Sequence, residues 1–493
     1  MAGDRPNILF VMADQLTASV LPLYGGPADA PNIEPLGEEG VVFDAAYCTT
    51  PLCAPSRASL LAGRLPSVLG TYDNAAEFGA SIPTVAHQLR DRGYETCLAG
   101  KMHFIGPDQL HGFEERLTTD VYTAGFDWIP DWSLSPRERL PWYHDLAVVN
   151  GAGPREATLQ LDYDEEVGFR SVRKLWDLAR DRTRPFFLIA SFTHPHDPYE
   201  IPLRYWNRYE SRELPSPRVP PRPLEEHDPH GRRVLEMCGA HEVEITAESA
   251  ARARRAYCAA VSYVDDKVGE LLRALEETGL RDDTIVVFGS DHGDMLGERG
   301  LWFKMTFFED SARVPLVVHA PGRFAPARVR QPVSLVDLLP TLIDLSGGET
   351  ERSLVPLLRG ETLDPGTVAC EYLAEGTPAP AVMLREASLK YIHCPGDPDL
   401  LFDLDTDPLE LENLAPTHPN TDRLRSQVER EWDLEGLATE VVASQQRRIL
   451  VARALHKGEP APWDYVPPDR SAGRYVRGRD FWAPFNGARL PPE

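Results

Sequence analysis

Lysine is scarce in this chain: of its 51 basic residues only six are lysine, and the rest are arginine. Positive charge as a whole is outnumbered by 76 acidic residues, leaving a formal net charge of −25. That balance excludes nucleic acid as a partner, because neutralising phosphates needs a basic face. It does not exclude a small anion, since a locally positive pocket can sit inside an acidic protein. Long apolar runs are also missing. The stretch Ile8-Leu9-Phe10-Val11-Met12-Ala13 falls far short of the roughly 20 residues a membrane span requires. It ends at Asp14 and lacks the basic flank and small-residue cleavage site of a secretory signal. Cysteine is sparse, odd in number and scattered, at 48, 53, 97, 238, 258, 370 and 394. Such a set reads as free thiols in a reducing compartment, so a cytoplasmic protein without a membrane partner is expected.

With 493 residues the chain is too long for one small core, and a large domain with a smaller companion is expected. Short apolar runs at Asn7–Met12, Thr96–Ala99, Phe186–Phe192, Ile285–Gly289 and Val314–His319 alternate with helical patterns. The clearest helix runs from about Glu248 to Glu277, where Tyr257, Val261, Val264, Val268, Leu271 and Leu275 recur at three and four residues before Gly279. A second begins at Ser334, which forms a capping-box pattern with Asp337. This alternation predicts an α/β fold with a large, mainly parallel sheet sandwiched by helices, and ligands at the carboxyl ends of its strands. Short runs at Val382–Leu384, Tyr391–His393 and Leu401–Leu404 predict a small antiparallel sheet, and the pattern turns helical after Thr421. The expected division is 1–360 for the main domain, 361–450 for a smaller α+β domain and 451–493 for a tail. Leu203–Pro223 and Pro460–Pro468 are Pro-rich and expected to be irregular.

The stretch most rich in chemistry is Cys53-Ala54-Pro55-Ser56-Arg57-Ala58-Ser59-Leu60-Leu61-Ala62-Gly63-Arg64. A Cys two residues before a Pro that opens a Ser, Ala and Leu-rich run sits at a helix N-terminus, where amide groups favour anions. Arg57 lies one turn on and can direct a cation to the same place. A buried Cys is more often a small hydrophobe, and a thiolate phosphatase would need a longer loop than Ala54-Pro55-Ser56 between its Cys and Arg. The stretch instead resembles the Cys-x-Pro-Ser-Arg element of the sulfatase family, in which the thiol is oxidised to formylglycine. The resemblance implies an alkaline phosphatase-like fold, a formylglycine made from Cys53 by a maturation enzyme, and a hydrated aldehyde with two hydroxyls on one carbon. One hydroxyl attacks sulfur and the other later expels sulfate, which splits a hard displacement into two easier steps.

Asp14 follows the first candidate strand and Asp291-His292 follows Ile285–Gly289, so these groups should meet at one sheet edge where a hard divalent cation would suit them. A lone strand-end Asp is usually a helix cap; the pairing with Cys53 argues for more. By the resemblance the metal ligands are Asp14, Cys53 as formylglycine, Asp291 and His292, with Ca²⁺ favoured and Mg²⁺ or Mn²⁺ open. Gly100-Lys101-Met102-His103 matches the family's Gly-Lys-x-His element, which gives Lys101 a sulfuryl oxygen to bind and His103 a hydroxyl proton to hold. His196-Asp197-Pro198 matches its His-x-Pro element, making His196 the general acid with His194 as fallback. Lys304 precedes Arg313-Val314-Pro315-Leu316 as in the family. Arg57, Lys101, Lys304 and the metal would then stabilise charge on the transferring group, and Asn74 would hydrogen-bond a sulfate oxygen.

Within the family, Tyr72–Phe78, Gly100–Asp120, Ser191–Tyr199 and Ser290–Phe308 are similar to the choline sulfatases. That likeness implies hydrolysis of choline sulfate, with Trp128, His144 and Glu375 around the ammonium group. Trp132, Trp142 and Tyr143 lie in the same aromatic cluster, Glu371 is the alternative carboxylate, and Asp480 in the tail matches a position that serves a neighbouring subunit. A trimethylammonium head needs aromatic faces and a nearby carboxylate. A homodimer or homotetramer is implied too. The rival readings are a phosphonate monoester hydrolase or phosphodiesterase, another alkyl or aryl sulfatase, and, from a different class, a binding protein on an inactive scaffold.

Overall fold

The structure, a computed structural model, describes residues 5–459 and 462–469 apart from positions 136, 321, 364 and 365. In chain order its strands are β1 (Asn7–Ala13), β2 (Val41–Tyr47), β3 (Glu95–Gly100), β4 (Glu115–Arg116), β5 (Gly153–Pro154), β6 (Phe186–Phe192), β7 (Glu200–Ile201) and β8 (Thr284–Ser290). They continue with β9 (Arg313–His319), β10 (Ala327–Val329), β11 (Val333–Ser334), β12 (Val368–Tyr372), β13 (Ala381–Glu386), β14 (Leu389–His393) and β15 (Leu400–Asp403). The large sheet has the order β10-β2-β9-β8-β1-β6-β3-β4, with β11 also on β2. Its centre, β8-β1-β6-β3, is parallel throughout, whereas β9 runs antiparallel to both β2 and β8. The sheet is therefore mixed but mainly parallel.

β6 and β8 are buried at every position, which requires cover on both faces and explains their largely apolar sequences. The helices Leu159–Arg180 and Ala247–Glu277 pack together on one side, and Cys53–Ala62, Val85–Asp91 and Leu338–Leu345 cover the other. Ala247–Glu277 starts where Thr246 Oγ1 accepts the Ser249 amide, and its stripe from Tyr257 to Leu275 is buried. Each fully buried Val or Leu there contributes about 1.5–3 kcal/mol. The Ser334–Asp337 capping box forms as the sequence implies, although the first turn, Leu335–Asp337, is a tighter 3₁₀ turn. Leu159–Arg180 escapes the sequence reading because its buried face includes Asp164, Ser171 and Lys174, which blur the apolar period.

The small sheet β12-β13-β14-β15 is antiparallel throughout. Strand alternation divides β13 between two cores: Ala381 and Met383 join the main one. Val382 and Leu384 pack with Tyr391, Leu401 and with Leu424 and Val428 of the helix Thr421–Glu431. The Pro-rich Leu203–Pro223 segment is irregular except for Leu203–Trp206 and Asn207–Tyr209 at its start. A final helix, Leu434–Leu455, follows. Among the described residues no helix is long and apolar enough to cross a membrane.

Candidate active site

Four neighbouring parallel strands deliver the chemistry. Asp291 follows β8, Asp14 follows β1, His194 and His196 follow β6, and Lys101 follows β3. Parallel pairing puts all these carboxyl ends at one edge. Gly100 is obligatory at the end of β3: its φ is +99°, and an added Cβ would lie 1.9 Å from the Ser191 carbonyl oxygen. Cys53 opens the ten-residue helix Cys53–Ala62 beneath that edge.

Arg57 is wholly buried and ties the edge together. Its Nε donates to Asp291 Oδ2 at 2.7 Å and its Nη1 to Ser191 Oγ at 2.9 Å, while Nη2 lies 3.5 Å from Asp14 Oδ2. Burial works against its charge, but Asp291 and Asp14 outweigh this and hold the guanidinium firmly protonated. Lys101 Nζ pairs with Asp14 Oδ2 and lies 4.2 Å from the centre of the Tyr122 ring.

Asp14, Cys53, Asp291 and His292 are all buried and bring one donor atom each within 4.8 Å of one another. His292 donates Nδ1–H to the Gly293 carbonyl at 3.1 Å, which turns the Nε2 lone pair toward Cys53 Sγ, also 3.1 Å away. An imidazole fixed in this way, beside two carboxylates, is the arrangement a divalent cation needs. The residues present therefore fit a metal. Gln15 lies beside them: its Oε1 accepts from Lys304 at 2.7 Å, and its Nε2 donates to Asp294 and Asp197.

Lys304 Nζ lies 3.3 Å from Cys53 Sγ and 2.6 Å from His196 Nε2. His196 gives Nδ1–H to the Asp197 carbonyl at 2.6 Å, so Nε2 is the nitrogen that exchanges a proton. Burial and Lys304 oppose a charged ring, yet Asp197 and Asp14 prevail and raise its pKa above the usual value. His103 goes the other way: burial outweighs its interaction with Cys53 and lowers its pKa. Burial alone would raise the pKa of the Cys53 thiol; Lys101, Lys304 and His292 reverse that and pull it well below the ordinary range.

His194 faces elsewhere. Its Nδ1 bonds Asp164 Oδ2 at 2.7 Å, and its ring packs edge-on against Tyr263. The fallback for the general acid is thus turned into the helix layer, and His196 alone of the pair reaches Cys53. Asn74 Oδ1 accepts the Ala54 amide at 3.0 Å, in the first turn of the helix that starts at Cys53. The Trp128 ring meets His103 at 5.5 Å and Tyr122 at 4.9 Å. His144 stacks on Phe303 and lies 3.4 Å from Asp197 Oδ2. Trp142 packs edge-on against Tyr143.

Glu375 is buried, and its Oε2 has no hydrogen-bond partner. It lines a cavity of about 180 Å³ with Trp132, Tyr143 and Thr377. Burial raises its pKa to about 7. Glu371, the alternative carboxylate, is taken: Ser67 occupies both of its oxygens and Trp432 Nε1 donates to Oε1 at 2.7 Å. Asp480 lies outside the described residues. The sequence reading missed Tyr122, whose ring contacts Lys101, His103 and Trp128, and Asp120, which accepts the amides of Met102 and His103 and pairs with Arg116. Neither belongs to a strand end; Asp120 lies within a segment already singled out, but nothing in its spacing marks it.

The sulfatase family model matches residues 6–348, and a model described as choline sulfatase enzyme C terminal matches 439–481. A further C-terminal model, that of N-sulphoglucosamine sulphohydrolase, matches 297–435. The chain is 49% identical over 500 residues to the choline-sulfatase of Rhizobium meliloti (strain 1021), covering 97% of this chain and 96% of that one. It is 27% identical to the arylsulfatase of Clostridium perfringens (strain 13 / Type A), covering 85% and 92%. The solved phosphonate monoester hydrolase of Agrobacterium radiobacter superimposes with a TM-score of 0.67 at 23% identity, covering 92% and 96%, a likeness of fold alone. A family model spanning most of the chain and a relative matching nearly its whole length agree with the strand-end cluster around Cys53: the chain belongs to the sulfatase family.

Proposed function

We propose that this sulfuric ester hydrolase cleaves choline sulfate to choline and sulfate. The observation that carries the substrate is Glu375, a buried carboxylate with an unpartnered oxygen beside Trp132 and Tyr143, together with the 49% identity to a choline-sulfatase. A trimethylammonium group buried against aromatic faces and a carboxylate would supply the missing partner.

In oxidised form residue 53 would supply an aldehyde whose hydrate presents two hydroxyls on one carbon. A calcium ion held by Asp14, Asp291, His292 and residue 53 would supply positive charge against the sulfuryl oxygens. The remaining work falls to side chains of the chain itself. Lys101 and Lys304 converge on residue 53 and hold the sulfuryl oxygens, while Arg57 aligns Asp14 and Asp291 and keeps Asp291 ionised. Neutral His103 takes a proton from the side chain of residue 53. His196 delivers a proton from Nε2 to the departing oxygen; an alkoxide is a poor leaving group, so this transfer matters greatly for choline. Asn74 holds the helix start in register.

The same reading includes maturation by a formylglycine-generating enzyme, a cytoplasmic location and a homodimer or homotetramer assembled with 451–493. The seven free cysteines support a reducing compartment.

The test is a rate comparison on choline sulfate, its uncharged isostere with tert-butyl in place of trimethylammonium, an aryl sulfate and an aryl phosphodiester. Choline sulfate should lead in kcat/KM, by roughly tenfold or more over the isostere. Preference for the phosphodiester, or equal rates on the isostere, overturns the substrate. Mass analysis of the peptide carrying residue 53 tests the aldehyde, and sulfate ester turnover surviving Cys53→Ala overturns the mechanism.

A further inference from the structure

The helix Leu434–Leu455 has an unusual inward face. Its buried residues are Leu437, Val441, Ser444, Gln445 and Arg448, so the packing stripe changes from apolar to polar halfway along. A helix docked only for stability would continue the apolar stripe, because buried ion pairs are weak stabilisers once desolvation is counted. What the polar half touches gives it a different role.

Arg448 grips Asp73 with both fork nitrogens, Nη1 to Oδ1 and Nη2 to Oδ2, each at 2.7 Å. Asp73 is wholly buried. The next residue is Asn74, whose Oδ1 holds the Ala54 amide, one residue from Cys53. One turn before Arg448, Gln445 Oε1 accepts the Trp132 main-chain amide at 2.9 Å. Trp132 Nε1 in turn donates to the Ala374 carbonyl at 2.7 Å, next to Glu375. The apolar half of the helix supports the same loops, since Leu437 and Val441 pack with Tyr72 and Leu373 against Trp132.

We infer that Arg448 and Gln445 are positioning residues, one aligning the nucleophile side of the site through Asp73 and Asn74, the other aligning the ammonium side through Trp132 and Glu375. Neither touches the reacting atoms. The two arms leave one helix a single turn apart, so the distance between the sulfuryl site and the carboxylate is set by a rigid element, and with it the length of ester that fits. The specificity half of this inference rests on the choline sulfate reading; the nucleophile half does not.

The experiment measures kcat and KM separately for choline sulfate and for the tert-butyl isostere in Arg448→Met, Arg448→Lys and Gln445→Leu. Thermal unfolding is recorded in parallel, and kinetics are taken well below each midpoint. Arg448→Met should lower kcat on both esters by the same factor, about tenfold or more. Arg448→Lys should recover little of it, because an ammonium cannot reproduce the two-pronged grip. Gln445→Leu should raise KM for choline sulfate about threefold more than for the isostere. Wild-type kcat in both Arg448 variants, or full rescue by Lys, overturns the first arm. Equal KM changes on the two esters in Gln445→Leu overturn the second. A wild-type enzyme indifferent to the ammonium group instead sinks the substrate reading, and the Arg448 measurements on the isostere still decide the first arm.

Discussion

Replacing Glu375 by Gln should weaken choline sulfate binding and strengthen the fold. An ammonium about 5 Å from a buried carboxylate gains about 3 kcal/mol at an effective dielectric constant near 20. Desolvating the ammonium cancels part of this, leaving about 2 kcal/mol, or about thirtyfold in KM. Burial raises the pKa of Glu375 to about 7, so the carboxyl is neutral in acid and KM for choline sulfate should fall as pH rises through about 7. The isostere shares every other titrating group, so the ratio of the two KM values isolates this one. Stability runs the opposite way. A carboxyl whose pKa is raised on folding from 4.5 to about 7 stabilises the fold below the unfolded value, and that contribution is lost as pH climbs through 7. The ionised form costs about 3 kcal/mol. Glu375→Gln should therefore raise the denaturant midpoint at pH 8 and leave it nearly unaltered at pH 4. A variant that shifts KM for both esters alike, or that retains the pH dependence of their ratio, would refute the reasoning.

His196→Ala should lower kcat on choline sulfate by on the order of a hundredfold or more, and much less on an aryl sulfate with an acidic phenol, because only the alkoxide needs its proton; equal losses on both would remove His196 from the acid role. His194→Asn, by contrast, should show its main effect in thermal unfolding, through the lost Asp164 contact. Lys390→Met strands the buried Glu410, 2.8 Å from the ammonium, while Glu309 keeps Arg313 at 3.0 Å, and should cost about 3–5 kcal/mol in denaturant unfolding; a loss under about 1 kcal/mol would mean that water reaches Glu410. Exhaustive chelation should abolish turnover and Ca²⁺ should restore it, with His292→Ala weakening metal affinity about tenfold or more in a direct binding titration; activity that survives with no metal detected by elemental analysis would exclude the cation.

Much of the site was legible because its chemistry is local in sequence. Cys53, Pro55 and Arg57 fall within one helical turn, and Lys101 with His103, His196 and Lys304 each follow a strand or loop whose pattern is visible. Residues that act by reaching back to such an element left no pattern: Asp120 holds the amides of Met102 and His103, and Tyr122 stacks beneath Lys101. His194 and His196 are separated by Pro195 alone and both follow β6, so spacing ranks neither; the family resemblance favoured His196, and packing gives His194 to Asp164.

By itself the sequence determined the class of fold and where one helix begins: apolar runs of strand length demand a doubly covered sheet, and a Cys-x-Pro-Ser-Arg turn demands a helix start at residue 53. The tertiary structure decided which carboxylate remained free for a ligand. Glu371 and Glu375 sit four residues apart in similar surroundings of sequence, but Ser67 and Trp432, brought from distant parts of the chain, satisfy the first and leave an oxygen of the second unpaired. Hydrogen-bond satisfaction is a property of who arrives nearby in space, and no spacing along the chain encodes it.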